Sequence, residues 1–366
     1  MILAPAAGGN PGSMTKQGES ADNLRLRGRG ASETDTPPTA AGPVLVVAIG
    51  GLDPSGGAGV VRDLLTARTF GARVRVVPTA WTEQSPGTGV SSVEPRDPAL
   101  LEGAVVAAWR TAAREGLPVA VKVGMLPDAR AAGAILAALG VGGPRASGLG
   151  PREEPFSHAA PRLTPKPEAP FPPHVVPPPA ARGPRPEAPF SQSPDFFPGP
   201  FVLDPVLGAS SGGALFRGEP AALLPLVARA TLVTPNVLET AALLGLAASD
   251  IRTLDDAARA GRALLDAGAR AVLVKGGHLP HGGTADGGYG AGEAVDTLVT
   301  PDGIHRFAAS RHPGPDVRGT GCALATAVAV GLGRGLSLEA AIAGAKVWLR
   351  GALERAVPRG GEWHID

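Results

Sequence analysis

The chain has 366 residues, 52 of them Gly and 39 Pro, with 34 basic and 33 acidic side chains and a formal net charge of +1. A hydrophobic share of 43% excludes a wholly disordered chain, and the balanced charge leaves no footprint for nucleic acid or an anionic membrane. The single cysteine excludes an intramolecular disulfide framework and a Cys-based zinc cluster, and it fits a reducing, cytoplasmic setting.

Residues 1–42 are small and polar, without periodicity, and are expected to form a disordered N-terminal tail. The opening MILAPAAGGNPG is too short and too broken by Gly and Pro for a signal-peptide apolar region, and no stretch reaches the roughly 18 apolar residues of a membrane span. Residues 43–366 are expected to form one domain. In it, 44–49 is an apolar run of strand length, and 56–70 has helical spacing with Val60, Val61, Leu64 and Leu65 on one face. The connecting GGLDPSGGAG at 50–59 holds five glycines in ten residues, so its backbone can approach a ligand closely. It is not a P-loop, because no Gly-Lys-Ser/Thr follows. A strand at 74–77 leads into Thr79-Ala80-Trp81-Thr82-Glu83-Gln84. There Gln84 can read the edge of a heterocycle through its paired donor and acceptor.

A helix at 100–113, a strand at 119–123 and a helix at 129–139 follow. Residues 143–199 then hold 17 of the 39 prolines and three related tetrapeptides: EEPF at 153–156, EAPF at 168–171 and EAPF at 187–190. Proline removes donors and fixes φ, so this stretch is predicted to be an extended, disordered insertion in the domain. A docking tract for a proline-recognising partner is the other reading.

A strand at 201–203 ends at Asp204, a helix covers 221–228, and a strand at 232–233 runs into Thr234-Pro235-Asn236-Val237-Leu238-Glu239. Asp204 and Glu239 are hard oxygen ligands of the kind Mg²⁺ takes. Glu239 reads equally well as a first-turn acid favourable to its helix dipole. Asn236 and Glu239, three apart at a helix start, project to one side. Helices at 237–246 and 254–267 lead to a strand at 271–275 and to Lys275-Gly276-Gly277-His278. In a chain with 29 Arg and 5 Lys, a lysine at a strand end beside two glycines suggests a compact charge wanted on a phosphate. A Gly-rich loop at 281–293, strands at 294–299 and 304–308, and helices at 322–332 and 338–352 complete the chain. Before the first of these helices stands Arg318-Gly319-Thr320-Gly321-Cys322, whose turn presents backbone N–H groups at a helix N-terminus, an anion site by construction. Cys322 falls in the first helical turn, where the dipole lowers a thiol pKa toward the thiolate. Otherwise it is a small buried hydrophobe. A dinucleotide fingerprint is excluded, since the third glycine is missing and the motif sits at the wrong end of the chain.

Repeated β-then-α units, with strands too apolar to have a wet face, predict an α/β fold: a mostly parallel central sheet with helices on both faces. Ligands of such folds bind beyond the carboxyl ends of the strands, where all these motifs lie.

Together the motifs resemble the ribokinase-like superfamily, and within it the hydroxymethylpyrimidine/phosphomethylpyrimidine kinases. The resemblance spans 44–142 and 200–352. It rests on DPSGGAG (53–59), the Asp63-to-Gln84 spacing, KVGML (122–126), LDPV (203–206), TPNVLE (234–239), VKGGH (274–278) and GTGC (319–322). It implies a ribokinase-like fold and a kinase of thiamin biosynthesis that uses ATP and Mg²⁺. Its substrate would be 4-amino-5-hydroxymethyl-2-methylpyrimidine and then that alcohol's monophosphate. By position, Gln84 would bond the aminopyrimidine edge, and Asp63, Gly51, Ala58, Met125 and Val206 would line the substrate pocket. Lys275 and the Gly319-Thr320-Gly321 turn would hold phosphates, Asp204, Asn236 and Glu239 would organise Mg²⁺, and Cys322 would stand as the base. A homodimer is also implied. The chain departs from the family pattern at Arg318, where His is usual, and at Ser85-Pro86, where Asn-Thr is usual. Trp81 and Glu83 are bulkier or more charged than expected nearby. Arg318 is expected to add a phosphate contact or alter the second phosphorylation. The proline-rich insertion, foreign to the pattern, is expected at the edge away from the ligand loops. A pyridoxal kinase of the same superfamily and a scaffold acting through the EAPF repeats are the competing readings.

Overall fold

The computed structural model describes residues 42–85, 89–140, 197–209, 212–277, 279 and 292–365. Most of the expected N-terminal tail, the insertion as far as 196, Pro86, His278 and most of the 281–293 loop lie outside these residues.

A nine-stranded sheet organises the domain, in the order β3-β2-β1-β4-β5-β6-β7-β8-β9. Six strands run parallel in its centre: β2 (Arg73–Ser85), β1 (Leu45–Leu52), β4 (Val119–Val123), β5 (Phe201–Leu203), β6 (Leu232–Val233) and β7 (Val272–Val274). Antiparallel strands flank them: β3 (Gly89–Pro95) on one side, β8 (Glu293–Thr300) and β9 (Gly303–Ser310) on the other. The expected mostly parallel sheet is therefore present.

Alternation explains why the central strands are apolar throughout. Leu45, Val47 and Ile49 of β1 enter one core, whereas Val44 and Val46 enter another on the opposite face. The first core is closed by α2 (Pro98–Arg114), α3 (Ala129–Ala138), α4 (Leu224–Arg229), α5 (Val237–Leu244) and α6 (Leu254–Asp266). The second face is covered by α1 (Gly59–Thr69), α7 (Thr320–Gly333) and α8 (Leu338–Glu354). Local signals set the helix starts. Asp97 accepts from the Ala99 and Leu100 amides with Pro98 at the first helical position, and Thr253 with Asp256 forms a capping box.

Three expectations need correction. First, β1 runs on through Leu52, so Gly50 and Gly51 are strand residues, and α1 begins at Gly59 rather than 56. Second, the buried side of α1 carries Val60, Arg62, Asp63, Thr66 and Ala67, while Leu65 is exposed. Arg62 and Asp63 are buried with hydrogen-bond partners, whereas the Thr66 hydroxyl is buried without one. Third, β2 continues to Ser85 despite Pro78. β3 joins β2 only from Ala80 onward, so Pro78 sits where β2 still forms the sheet edge, the place a strand tolerates proline. A small second sheet, β10 (Val317–Arg318), β12 (Glu362–His364) and β11 (Val357–Arg359), was not anticipated.

Ordered packing also resumes earlier than expected after the insertion. Phe197 is 2% exposed, packs against Trp109 at a ring separation of 5.9 Å, and donates its amide to the Leu139 carbonyl at 3.3 Å. The chain thus leaves after α3 and returns beside it, where the strands begin and away from their carboxyl ends. Deleting 143–196 is expected to leave turnover and melting temperature close to those of the full chain. Extending the cut through 199 removes Phe197 from the core and should cost about 3–5 kcal/mol. Calorimetric melting of the two deletions, with a turnover assay of the first, checks both statements.

Candidate active site

At the carboxyl ends of the strands, the glycine loop and the GTGC turn are locked together by close approach. At Gly319, φ is +78° and a Cβ would lie 2.1 Å from the Gly57 carbonyl oxygen, so only glycine fits. At Gly59, φ is +60° and a Cβ would lie 2.1 Å from the Gly51 carbonyl oxygen. Asp53 orders the loop between them. Its carboxylate accepts from the Ser55 amide (3.0 Å), the Ser55 hydroxyl (2.9 Å) and the Ala58 amide (3.1 Å). Ala58 is therefore positioned through its backbone.

The helix α7 starts at Thr320, with Gly319 as its N-cap and no side-chain cap. The amides of Thr320, Gly321 and Cys322 have no carbonyl partner within the helix. A Cβ on Gly321 would lie 3.1 Å from Lys275 Nζ and 3.9 Å from Asp204 Oδ2, so the turn stands directly over this pair. Lys275 Nζ donates to Asp204 Oδ1 at 2.8 Å and lies 3.8 Å from Glu239 Oε2. Thr234 Oγ1 donates to the same Asp204 oxygen at 3.3 Å. Burial works against the Asp204 carboxylate, but Lys275 and Lys122 outweigh it and hold its pKa below the usual range. Asp204 Oδ2 is buried without a hydrogen-bond partner. An orphaned carboxylate oxygen beside a free helix N-terminus suits a cation-bound water or a divalent ion.

Glu239 has two occupations. Its Oε2 accepts from the Asn236 amide at 2.7 Å, while Asn236 Oδ1 accepts from the Glu239 amide at 2.8 Å. Both residues thus form the capping box of α5, and Asn236 is spent on that helix start. Burial, helped by Asp204 and opposed by Lys275, pushes the Glu239 carboxyl up to about 7. Among the described residues no group of three or more His, Cys, Asp or Glu could hold a metal. A divalent ion here would depend on waters and substrate phosphates for most of its shell.

Below the turn lies a cluster that the motifs did not reveal. Lys122, the one charged residue of β4, points to the α1/α7 face and donates to both carboxylate oxygens of Asp63, at 2.8 and 2.9 Å. Thr326 of α7 donates to the same carboxylate at 2.8 Å. Lys122 and Asp63 have no exposed side-chain surface. Burial pulls the Lys122 ammonium down, yet Asp63 outweighs it and its pKa is raised, while burial pushes the Asp63 carboxyl up against the pull of Lys122. Asp63 therefore sits beneath the cleft, sealed by its partners, rather than along the wall expected of it.

Cys322 adjoins this cluster, half-buried, and its thiol accepts an interaction from the Gly59 amide. The expected depression of its pKa is reversed. Burial pushes the thiol up to about 11, with Asp63 and Asp204 adding to the rise and Lys122 opposing it. Desolvation and two carboxylates outweigh the helix dipole. Without a ligand, Cys322 is a neutral thiol at pH 7.

The apolar wall lies on the other side of the turn. Ala80, Val93, Met125 and Leu215 are buried together, with Val90, Val206 and Ala209 packed against them. A Cβ on Gly51 would meet Met125 Sδ at 2.8 Å, so the bare backbone of β1 completes this wall. Alternation along β2 buries Ala80 and Thr82 and turns Trp81 and Glu83 to solvent, away from it. An irregularity in the β2–β3 register between Glu83 and Gln84 re-aims Gln84. Gln84 Nε2 donates to Thr82 Oγ1 at 2.9 Å, and its Oε1 accepts from Arg318. Arg318, 6% exposed, also donates to Asp53 Oδ2 at 3.0 Å and to Glu362 Oε2 at 2.7 Å. Its two terminal nitrogens are taken up by these three acceptors, while its Nε is buried without a hydrogen-bond partner.

The chain matches the family model described as phosphomethylpyrimidine kinase over residues 53–144 and 193–365. It is 30% identical over 315 residues to a hydroxymethylpyrimidine/phosphomethylpyrimidine kinase of Rhizobium meliloti (strain 1021), covering 85% of this chain and 91% of that one. Among solved structures it is similar to the phosphomethylpyrimidine kinase of Clostridium difficile 630. That likeness has TM-score 0.56 and 25% identity, over 85% of this chain and 99% of the other. It shares its fold with a Bacillus subtilis pyridoxal kinase solved as an ADP complex, at TM-score 0.62 and 20% identity, over 88% of this chain and 98% of that one.

Proposed function

The chain belongs to the phosphomethylpyrimidine kinase family, a family of ribokinase-like kinases, and on that premise we propose how its own residues carry the activity. The reaction we assign is transfer of the γ-phosphoryl group of ATP to the hydroxymethyl oxygen of 4-amino-5-hydroxymethyl-2-methylpyrimidine, and then to the resulting monophosphate. One observation carries the reading: Gly321 stands over the Lys275–Asp204 pair, which brings an uncapped helix N-terminus and a cation to one point. Phosphoryl transfer asks chiefly for positioning and for stabilisation of charge on the transferred group.

In this proposal the Thr320, Gly321 and Cys322 amides and Lys275 hold the phosphate oxygens. The free Oδ2 of Asp204 would hold Mg²⁺ or its water, with Glu239 beside it. When bound, Mg²⁺ would neutralise phosphate charge there. The wall of Gly51, Met125 and Val206 takes the face of the ring, and Gln84 takes its polar edge. The thiolate form of Cys322, a minor fraction at neutral pH, accepts the hydroxyl proton as the oxygen attacks the γ-phosphorus and ADP leaves. Asn236 contributes indirectly, by fixing Glu239 through the capping box. The resemblance further supports a homodimer working in the cytoplasm. Among the described residues no helix is long and apolar enough to cross a membrane.

A coupled assay of ATP consumption with the aminopyrimidine alcohol, its monophosphate and pyridoxal tests the proposal. The first two are expected to stimulate ATP consumption and the third to do so weakly. Preference for pyridoxal would reassign the substrate, and absence of stimulation by all three would refute the reading.

A further inference from the structure

Arg318 bridges the glycine loop, the end of β2 and the C-terminal hairpin. It lies in β10, directly before the GTGC turn, and β10 pairs with β12 of the 357–364 hairpin. That hairpin is docked firmly. His364 packs against Gly57, where a Cβ would lie 2.5 Å from its ring, and Arg62 donates to the Ile365 carbonyl at 2.8 Å. Glu362 from the hairpin and Asp53 from the glycine loop hold the guanidinium between two carboxylates. Its remaining contact in the structure is the Gln84 amide.

Arginine has donors and no acceptor, so the amide atom facing it is fixed by chemistry as the carbonyl oxygen. The amide nitrogen is then the end that meets Thr82 Oγ1. The Thr82 hydroxyl in turn donates to the Leu52 carbonyl at 3.0 Å, which leaves its oxygen free to accept from Gln84. Both ends of the amide are thereby specified. One N–H of Nε2 goes to Thr82, and the other has no partner among the described residues. We propose that Arg318, held by Asp53 and Glu362, is a positioning and specificity-determining residue: it locks Gln84 with its N–H presented to the ring, so that the enzyme selects heteroaromatic alcohols carrying a hydrogen-bond acceptor at that edge. This rests on the kinase reading and refines its substrate class. It also gives the 357–364 hairpin a part in ring recognition.

The test is a steady-state double-mutant cycle on the full chain, with Arg318→Ala, Gln84→Ala, the double variant and Arg318→Lys, each checked by thermal melting. Arg318→Ala should raise KM for the ring alcohol about tenfold or more, with kcat and the KM for ATP changed less than about threefold. In the Gln84→Ala background the same change should have little further effect, since the two act as one unit. Arg318→Lys should recover part of the loss, because lysine also only donates. Glu362→Gln should raise the same KM by a smaller factor, and it carries the test if Arg318→Ala fails to fold. Additive effects of Arg318→Ala and Gln84→Ala, or a rise in the KM for ATP instead, would overturn the inference while the wild type stays active. A wild type inert toward every ring alcohol would sink the kinase reading itself, and this refinement with it.

Discussion

Cys322→Ala is expected to lower turnover about 10²- to 10⁴-fold, the range lost with a general base, while nucleotide affinity stays within about twofold. The nucleotide is assigned to backbone amides and to Lys275, none of which the substitution removes. The pH profile sharpens the test. With the thiol pushed up to about 11, only a small fraction is thiolate at pH 7, and that fraction grows tenfold per pH unit. Turnover limited by the thiolate should therefore rise with pH across the neutral and mildly alkaline range, and the alanine variant should lose that slope. Bound substrate and cation change the charges around the sulfur, so the sign of the slope is the prediction rather than its midpoint. Near wild-type turnover in Cys322→Ala would remove the thiol from the mechanism.

The second large effect concerns stability. Asp63→Ala leaves the fully buried Lys122 ammonium without its partner, and Lys122→Ala does the converse to the carboxylate. Each should cost about 3–5 kcal/mol, the usual penalty for a stranded buried charge. Replacing both at once, Asp63→Leu with Lys122→Met, should recover most of that loss, because a well-filled apolar pair needs no compensating charge. Urea unfolding of the three variants reads the difference directly. Single variants within about 1 kcal/mol of wild type would show that the pair is not the closed ionic contact described above. The double variant should still turn over poorly, since Lys122 is the cation that opposes the rise in the Cys322 pKa.

The sheet was legible where strands are short apolar runs with clear ends. β4, β5 and the pair Leu232–Val233 occupy the positions their sequences suggested. β3 was not, because GVSSVEP is polar and closed by proline, and its strand state comes from pairing with β2. β10, β11 and β12 are as short as β5 and β6 but carry charged residues or proline, so they show neither a period nor an apolar run. In the site, Asp204, Lys275, Gly321 and Cys322 could be anticipated, since each follows a strand or opens a helix. The Asp63–Lys122 pair could not. A lysine inside VAVKV is a visible anomaly, but its partner is 59 positions away on what reads as an apolar helix face. Arg318 is the same problem three times over, with acceptors 265, 234 and 44 positions distant. The thiol direction was missed for a related reason: the helix dipole is readable locally, whereas desolvation and distant carboxylates are not.

The doorway between Leu139 and Phe197 has a practical meaning. Two chain ends that leave and re-enter side by side form a port on the rear of the molecule, remote from the cleft. A fluorescent reporter or an immobilisation handle grafted there would be carried without obstructing catalysis, which suits this kinase to engineering as a tethered biocatalyst.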